Sequence, residues 1–208
     1  MGDNGGSKGS GWAVWITGLP GSGKSTLADA LVQRLRAQGR DVLLLRMDER
    51  RKVYFPHPAY TPEEREAAYA LFADEAAGLV AQGRGVILDG TAHLLRWRGL
   101  ARERIPRFAE MYLRCSLETA MQREAARPEG LVMAGMYAKA LERRRTGLPV
   151  AGLGEVVGVD TPFEPDPEAE CVLDNDGSNR EAALERALEF LRGWLPPAVG
   201  TFVNKGPE

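Results

Sequence analysis

The chain carries the run Gly18-Leu19-Pro20-Gly21-Ser22-Gly23-Lys24-Ser25, in which glycines are spaced through a turn that closes on a lysine and a hydroxyl. Glycines at 18, 21 and 23 let the backbone curl so that several N–H groups point inward, and such a nest binds phosphate. In that geometry Lys24 reaches the β- and γ-phosphates of a nucleotide, the Ser25 hydroxyl is placed to ligate Mg²⁺, and Thr26 contacts the α-phosphate. Gly-x-x-x-x-Gly-Lys-Ser is the full Walker A pattern, and its setting agrees with the pattern. The apolar run Trp12 to Thr17 reads as a buried strand before it, and Leu27, Ala30, Leu31 and Leu35 recur at helical spacing after it. Guanine recognition normally uses Asn-Lys-x-Asp. Here Asn204-Lys205 leads into Gly206-Pro207 without the aspartate, so ATP is the favoured nucleotide.

The elements that must hold this turn follow from periodicity. Strands are predicted at Trp12 to Thr17, Asp41 to Arg46, Gly85 to Asp89, Phe108 to Arg114 and Glu170 to Leu173. Helices are predicted from Lys24 to Ala37, from about Thr61 to Gln82, over Arg96 to Glu103, from Ser116 to about Ala126, and from Ser178 to about Trp194. Thr61 with Glu64, and Ser178 with Glu181, form capping boxes, and Pro62 suits a first helical position. Met47 onward reads as a polar loop leading to Pro56 and Pro58, and residues 128–155 as a partly helical, arginine-rich lid. Strands alternating with helices predict an α/β, three-layer P-loop NTPase fold with a five-stranded parallel sheet and a helical lid. Ligands of such sheets bind outside the carboxyl ends of the strands, so the loops starting at Gly18, Met47, Gly90 and Cys115 are expected on one face.

Composition narrows the class further. With 208 residues, 44% of them hydrophobic and 27% charged, the chain suits one globular domain, placed at residues 12–195 between a disordered leader (1–11) and a tail (196–208). A net charge of -2 supplies no basic field for nucleic acid. No apolar stretch approaches membrane-spanning length, and the Gly/Ser-rich start is not a signal peptide, so a cytoplasmic protein is expected. Cys115 and Cys171 read as buried small apolar residues, without metal-site spacing.

Over about residues 12 to 193 the chain resembles the adenylylsulfate (APS) kinase family. The likeness is carried by Trp15-Ile16-Thr17 with the phosphate loop, Asp48-Glu49-Arg50-Arg51, Tyr60-Thr61-Pro62-Glu63-Glu64-Arg65, Gly135-Met136-Tyr137-Ala138-Lys139-Ala140 and Gly158-Val159-Asp160-Thr161-Pro162-Phe163-Glu164. That family moves the γ-phosphoryl group of ATP to the 3′-hydroxyl of APS with Mg²⁺. The resemblance implies that Asp48 acts as base or orients the acceptor hydroxyl, and that Arg51 and Arg65 grip a small anionic acceptor. It also implies that Lys139 and nearby lid arginines neutralise charge on the moving group, and that Arg123 packs near the ATP adenine. Members are often homodimers, but the sequence identifies no interface.

Departures cluster on the acceptor side. The family's Asp-Gly-Asp is Arg46-Met47-Asp48 here, and its Phe-Ile-Ser-Pro and Phe-Thr-Gly become Gly90-Thr91-Ala92-His93 and Val156-Val157-Gly158. On this alignment Gly90 and Val156 stand where the family clamps adenine between phenylalanines, and stacking on an aromatic is worth roughly 1–3 kcal/mol per base. Tyr54, Phe55 and Trp97 are candidate replacements, and His93 a candidate acceptor-side residue. Asp89, at a strand end, is a candidate to assist an acceptor hydroxyl or to hold Mg²⁺ through water. The sequence thus leaves three functions open: an APS-type kinase, a kinase for a different hydroxyl, and a nucleotide-dependent regulator without phosphoryl transfer.

Overall fold

The computed structural model describes residues 11–126, 135–177 and 180–197. Most of the predicted leader and tail, and Ser178 with its capping box, lie outside them. The five strands are β1 (Trp12–Thr17), β2 (Val42–Arg46), β3 (Gly85–Asp89), β4 (Phe108–Arg114) and β5 (Cys171–Asp174). They form one parallel sheet in the order β2-β3-β1-β4-β5. The helices are α1 (Lys24–Ala37), α2 (Met47–Tyr54), α3 (Pro62–Ala81), α4 (Leu95–Arg104), α5 (Leu117–Ala125), α6 (Met136–Thr146) and α7 (Arg180–Trp194). This is the predicted α/β architecture.

Side-chain alternation along the strands builds two cores, one on each face. Trp12, Val14 and Ile16 of β1, Ile87 of β3, and Met111 and Leu113 of β4 pack against α1 and α7. Ala13 and Trp15 of β1, with Val86 and Leu88 of β3, pack against α3 and α4. Cys115 and Cys171 are both buried, as their strand-side positions implied. A third, smaller cluster joins Ala120 of α5 to Met136, Tyr137 and Ala140 of α6 and to Val156, so the lid has its own apolar anchor.

The main departure from expectation is α2, in a segment read as a loop. It buries only Met47 and Arg51, so it shows no apolar stripe for periodicity to detect. Its charges nevertheless suit a helix, with Asp48 and Glu49 in the first turn and Arg51 and Lys52 in the last. Among the described residues, no helix is long and apolar enough to cross a membrane.

Candidate active site

β1 lies between β3 and β4, and the chain leaves the carboxyl ends of all three strands toward one crevice. The phosphate loop opens there. Gly18, Gly21 and Gly23 have φ of 141°, 83° and 100°, in the region that side chains rarely adopt. Gly21 is held for a second reason, since a Cβ there would run into the Ala120 carbonyl of α5. The loop therefore keeps its curl and leads into α1, whose first turn carries Lys24, Ser25 and Thr26. The Lys24 ammonium donates to the Leu19 carbonyl at 2.9 Å.

Two cavities meet in front of this loop. The first, of about 170 Å³, is bordered by Gly21, Lys24, Ser25, Arg46, Asp89 and Gly90. The second, of about 100 Å³, is bordered by Lys52, Tyr60, Arg65, His93, Glu155 and Val157. Pro20, Asp48, Arg51, Tyr69, Thr91 and Met136 line both. α2 explains the placement of two of them. Asp48 and Arg51 are three residues apart on one helix, hence neighbours on one face. A third cavity, of about 420 Å³, lies on the far side of the loop between Thr26, Leu27, Arg123, Asn175 and Leu184. Another, about 860 Å³, is beside Gly11 and Phe108 at the opposite end of the sheet and contains none of the candidate residues.

The acceptor-side wall rests on the predicted N-cap at Thr61, with the Glu64 side chain reaching past the cap residue to the two amides before it. Thr61 Oγ1 accepts from the Glu64 amide at 3.2 Å, and the Glu64 carboxylate accepts from the Ala59 and Tyr60 amides at 2.5 and 3.1 Å. This arrangement holds Tyr60 at a φ of 58°, which costs about 1–2 kcal/mol for a residue other than glycine. The Tyr60 ring then faces the Arg51 guanidinium at 5.4 Å. Arg51 is buried, and its Nη1 has no hydrogen-bond partner among the described residues. The nearest carboxylate to it is Glu64, 3.8 Å away. Arg65 donates to the Glu155 carbonyl at 2.8 Å and so ties α3 to the segment returning from the lid.

His93 is buried, with its ring edge-on to Trp97 at 4.8 Å. Burial first, then the charge of Arg65, pushes its pKa down to about 4, so the ring is neutral near pH 7. Asp89 is buried too. Burial raises its carboxyl above the usual range, and Lys24 and a hydrogen bond with Ser25 oppose that rise. Ser25 and Asp89 are hard oxygen donors beside the phosphate nest, the donor chemistry that suits Mg²⁺.

Most of the predicted residues thus converge, but not all. Asp89 lines the phosphate-side cavity and not the acceptor-side one. Lys139 is exposed on α6 and lines neither; Met136, one turn earlier, lines both. Of the lid arginines, Arg143 is committed to the Leu153 and Gly154 carbonyls and to Asp160, and Arg145 pairs with Glu142. Arg123 donates to the Gly177 carbonyl at 2.7 Å and borders the cavity beside Thr26. Tyr54, Phe55 and Trp97 do not line the acceptor-side cavity: Tyr54 bonds Glu75, Phe55 packs on the α3–α4 core, and Trp97 lies within it. The residues that do line it are one place further along than the sequence count indicated. Val156 is buried in the lid cluster while Val157 faces the cavity, and Thr91 faces it while Gly90 backs onto Met47, Trp15 and Phe72. Tyr60 and Tyr69 went without a role in the sequence reading. The signal for Tyr60 was its place just before an N-cap.

The lid is docked on the phosphate loop. The Tyr137 hydroxyl donates to the Pro20 carbonyl at 2.9 Å, and Glu124 accepts from the Met136 amide at 2.9 Å.

Comparison with known proteins agrees with this geometry. The adenylylsulphate kinase family profile matches residues 10–174. An adenylyl-sulfate kinase of Bacillus licheniformis is 32% identical over 181 residues, covering 86% of this chain and 84% of that protein. A cytidine diphosphoramidate kinase of Campylobacter jejuni is 29% identical over 180 residues, covering 86% and 94%. The solved structure of the Mycobacterium tuberculosis APS kinase with AMPPNP and APS superposes with a TM-score of 0.72 at 26% identity, covering 88% of this chain and 99% of that one.

Proposed function

The chain belongs to the adenylylsulphate kinase family, and from that premise we propose that it moves the γ-phosphoryl group of ATP onto the 3′-hydroxyl of adenylyl sulfate. It is an ATP-dependent phosphotransferase acting on a hydroxyl of a small molecule. The observation that carries the choice of residues is the shared wall between the two cavities, because a donor and an acceptor in line need contiguous sites.

In this reading the loop amides and Lys24 hold the β- and γ-phosphates, and Ser25 holds the metal. When bound there, Mg²⁺ would supply neutralisation of the negative charge on the transferring phosphates. Asp48 stands on the shared wall, where it accepts or orients the proton of the incoming hydroxyl. The hydroxyl oxygen bonds the γ-phosphorus as the bridge to the β-phosphate breaks, and ADP leaves. Arg51 and Arg65 take the acceptor's anionic group. Tyr60 brings aromatic surface to the cavity, whereas the buried Tyr69 ring is stacked on Trp97 and only borders it. A purely regulatory nucleotide switch has no use for this arginine-bearing second cavity.

The test is ADP release with ATP, Mg²⁺ and adenylyl sulfate, with mass analysis of the product. Stoichiometric ADP and a phosphorylated acceptor are expected, and Lys24→Ala should lower turnover at least about 10³-fold with its circular dichroism unchanged. Phosphorylation of cytidine diphosphoramidate in place of adenylyl sulfate would overturn the assigned acceptor. ATP consumption without a phosphorylated small product would overturn the kinase assignment.

A further inference from the structure

Among the described residues, one hydroxyl on the wall shared by the two cavities has a proton to give and no group to take it. Tyr69 lies within α3 and is 5% exposed. Its ring is packed into the core, stacked on Trp97 at 4.5 Å and 6.1 Å from Trp15. Both cavities are nevertheless bordered by Tyr69, so it is the hydroxyl end of the side chain that reaches them. That oxygen accepts from the Ala92 amide at 2.9 Å. A phenol has one proton to donate besides the lone pair so used, and among the described residues the Tyr69 O–H has no acceptor. Burial pushes the phenol pKa up, so the proton stays on. The oxygen is also held in place. Ala92 has a φ of 36°, which residues other than glycine rarely adopt, and its carbonyl accepts from Arg98 Nη1. Arg98 is itself buried, with its Nε donating to Glu110 at 2.8 Å. On either side of Ala92, Thr17 Oγ1 donates to the Thr91 carbonyl at 2.6 Å, and the Glu164 amide donates to the His93 carbonyl at 2.8 Å. The turn 91–93 is thereby tied to the strand that leads into the phosphate loop, and the Tyr69 hydroxyl with it.

We propose that the Tyr69 hydroxyl donates a hydrogen bond to an oxygen of the γ-phosphoryl group as that group crosses from one cavity to the other. The inference rests on the phosphoryl-transfer reading given above and does not depend on which acceptor is used. A phosphoryl oxygen carries lone pairs and no proton, so it suits a phenol with a proton to spare. Negative charge is spread over the three peripheral oxygens of the group in transit. A donor already fixed beside its path stabilises that charge without reorganising. Lys24 borders only the phosphate-side cavity, whereas Tyr69 borders both, so Tyr69 stays beside the group further along its path. The phenol keeps its proton throughout. The acceptor's proton goes to Asp48, the acceptor oxygen bonds phosphorus, and ADP leaves with the electron pair of the broken bond.

A merely structural hydroxyl would serve only as a peg for the Ala92 amide. Tyr69→Phe keeps the ring in its packing and removes the proton. It should lower kcat by about 10- to 100-fold and leave the KM values of ATP and acceptor within about twofold. Calorimetry of ADP with Mg²⁺ and aluminium fluoride, a mimic of the group in transit, needs no acceptor. The variant should bind this complex about tenfold or more weakly than the parent, while binding ADP with Mg²⁺ alone equally well. Replacing Tyr69 by 4-aminophenylalanine, which restores a donor but is a poor acceptor for Ala92, should recover most of the lost kcat. A peg whose loss lets the turn 91–93 shift would instead raise the acceptor KM and leave kcat and the fluoride complex unchanged. That result, or kinetics equal to the parent's, overturns the proposal. If Tyr69→Phe fails to fold, 4-fluorophenylalanine at position 69, which fills the hydroxyl's place without a proton, goes through the same calorimetry. Parent-like affinity for the fluoride complex there also overturns it. Parent turnover with adenylyl sulfate tests the reaction, and the ratio of variant to parent tests the hydroxyl, so the two failures are distinct.

Discussion

Replacing His93 by glutamine should make the protein less sensitive to acid, and the size of the effect follows from the burial of the ring. His93 is 5% exposed and is faced by Arg65, Arg98 and Arg96, against one carboxylate, Glu164. Burial leads the depression of its pKa from 6.5 to about 4. Above pH 6.5 the ring is neutral in both folded and unfolded chains and contributes no pH dependence. As pH falls below that value the unfolded chain takes a proton and the folded one does not, so stability is lost until the folded ring titrates near pH 4. One pKa unit corresponds to about 1.4 kcal/mol, so the full window amounts to roughly 3 kcal/mol. Domains of this kind have about 5–15 kcal/mol of net stability, so the term is large enough to measure. Glutamine keeps a polar group in the wall and does not titrate. Urea unfolding of parent and variant at steps from pH 7 to pH 4.5 gives the difference between them, in which carboxylates common to both cancel. That difference should tilt toward the variant as pH falls. A difference that stays flat would refute the placement of a neutral, buried ring among arginines.

Arg51→Met should raise the acceptor KM by about tenfold or more and leave the ATP KM within about twofold, since a charged hydrogen bond contributes about 1.5–3 kcal/mol. The buried Nη1, without a hydrogen-bond partner among the described residues, is the reason, and steady-state kinetics with the acceptor varied would check it. Thr61→Ala removes the N-cap and should cost about 1 kcal/mol, a fall in Tm of about 2–4 °C by scanning calorimetry.

The two kinds of local structure differed in how plainly they could be read. β1, α1 and the turn between them are contiguous, and their apolar periods and glycine spacing act within a dozen residues. The alternation of strands and helices then dictated the parallel sheet. α2 escaped because its helix is stabilised by end charges and two buried contacts rather than by an apolar face. The N-cap at Thr61 was legible for the opposite reason, being a local hydrogen bond encoded by two residues three apart.

The candidate site divides along the same line, because its two halves are made of different material. The donor half is mostly main chain, and its conformation depends on glycines at positive φ and on a helix N-terminus, both visible in sequence order. The acceptor half is mostly side chain, brought together from Arg51 on α2, Tyr60 ahead of α3, Tyr69 within α3, Thr91 and His93 after β3, and Val157 after the lid. A displacement of one residue in such a loop exchanges a wall for a core contact, as Val156 and Val157 show. Packing partners distant in sequence decide which neighbour faces the ligand. At Gly90 they are Met47, Trp15 and Phe72, and Trp15 Nε1 donates to the Gly90 carbonyl at 2.9 Å. A backbone-built phosphate nest can therefore stay fixed while side chains on the facing wall change, so the donor is set by the loop and the choice of acceptor by residues that only the folded chain assembles.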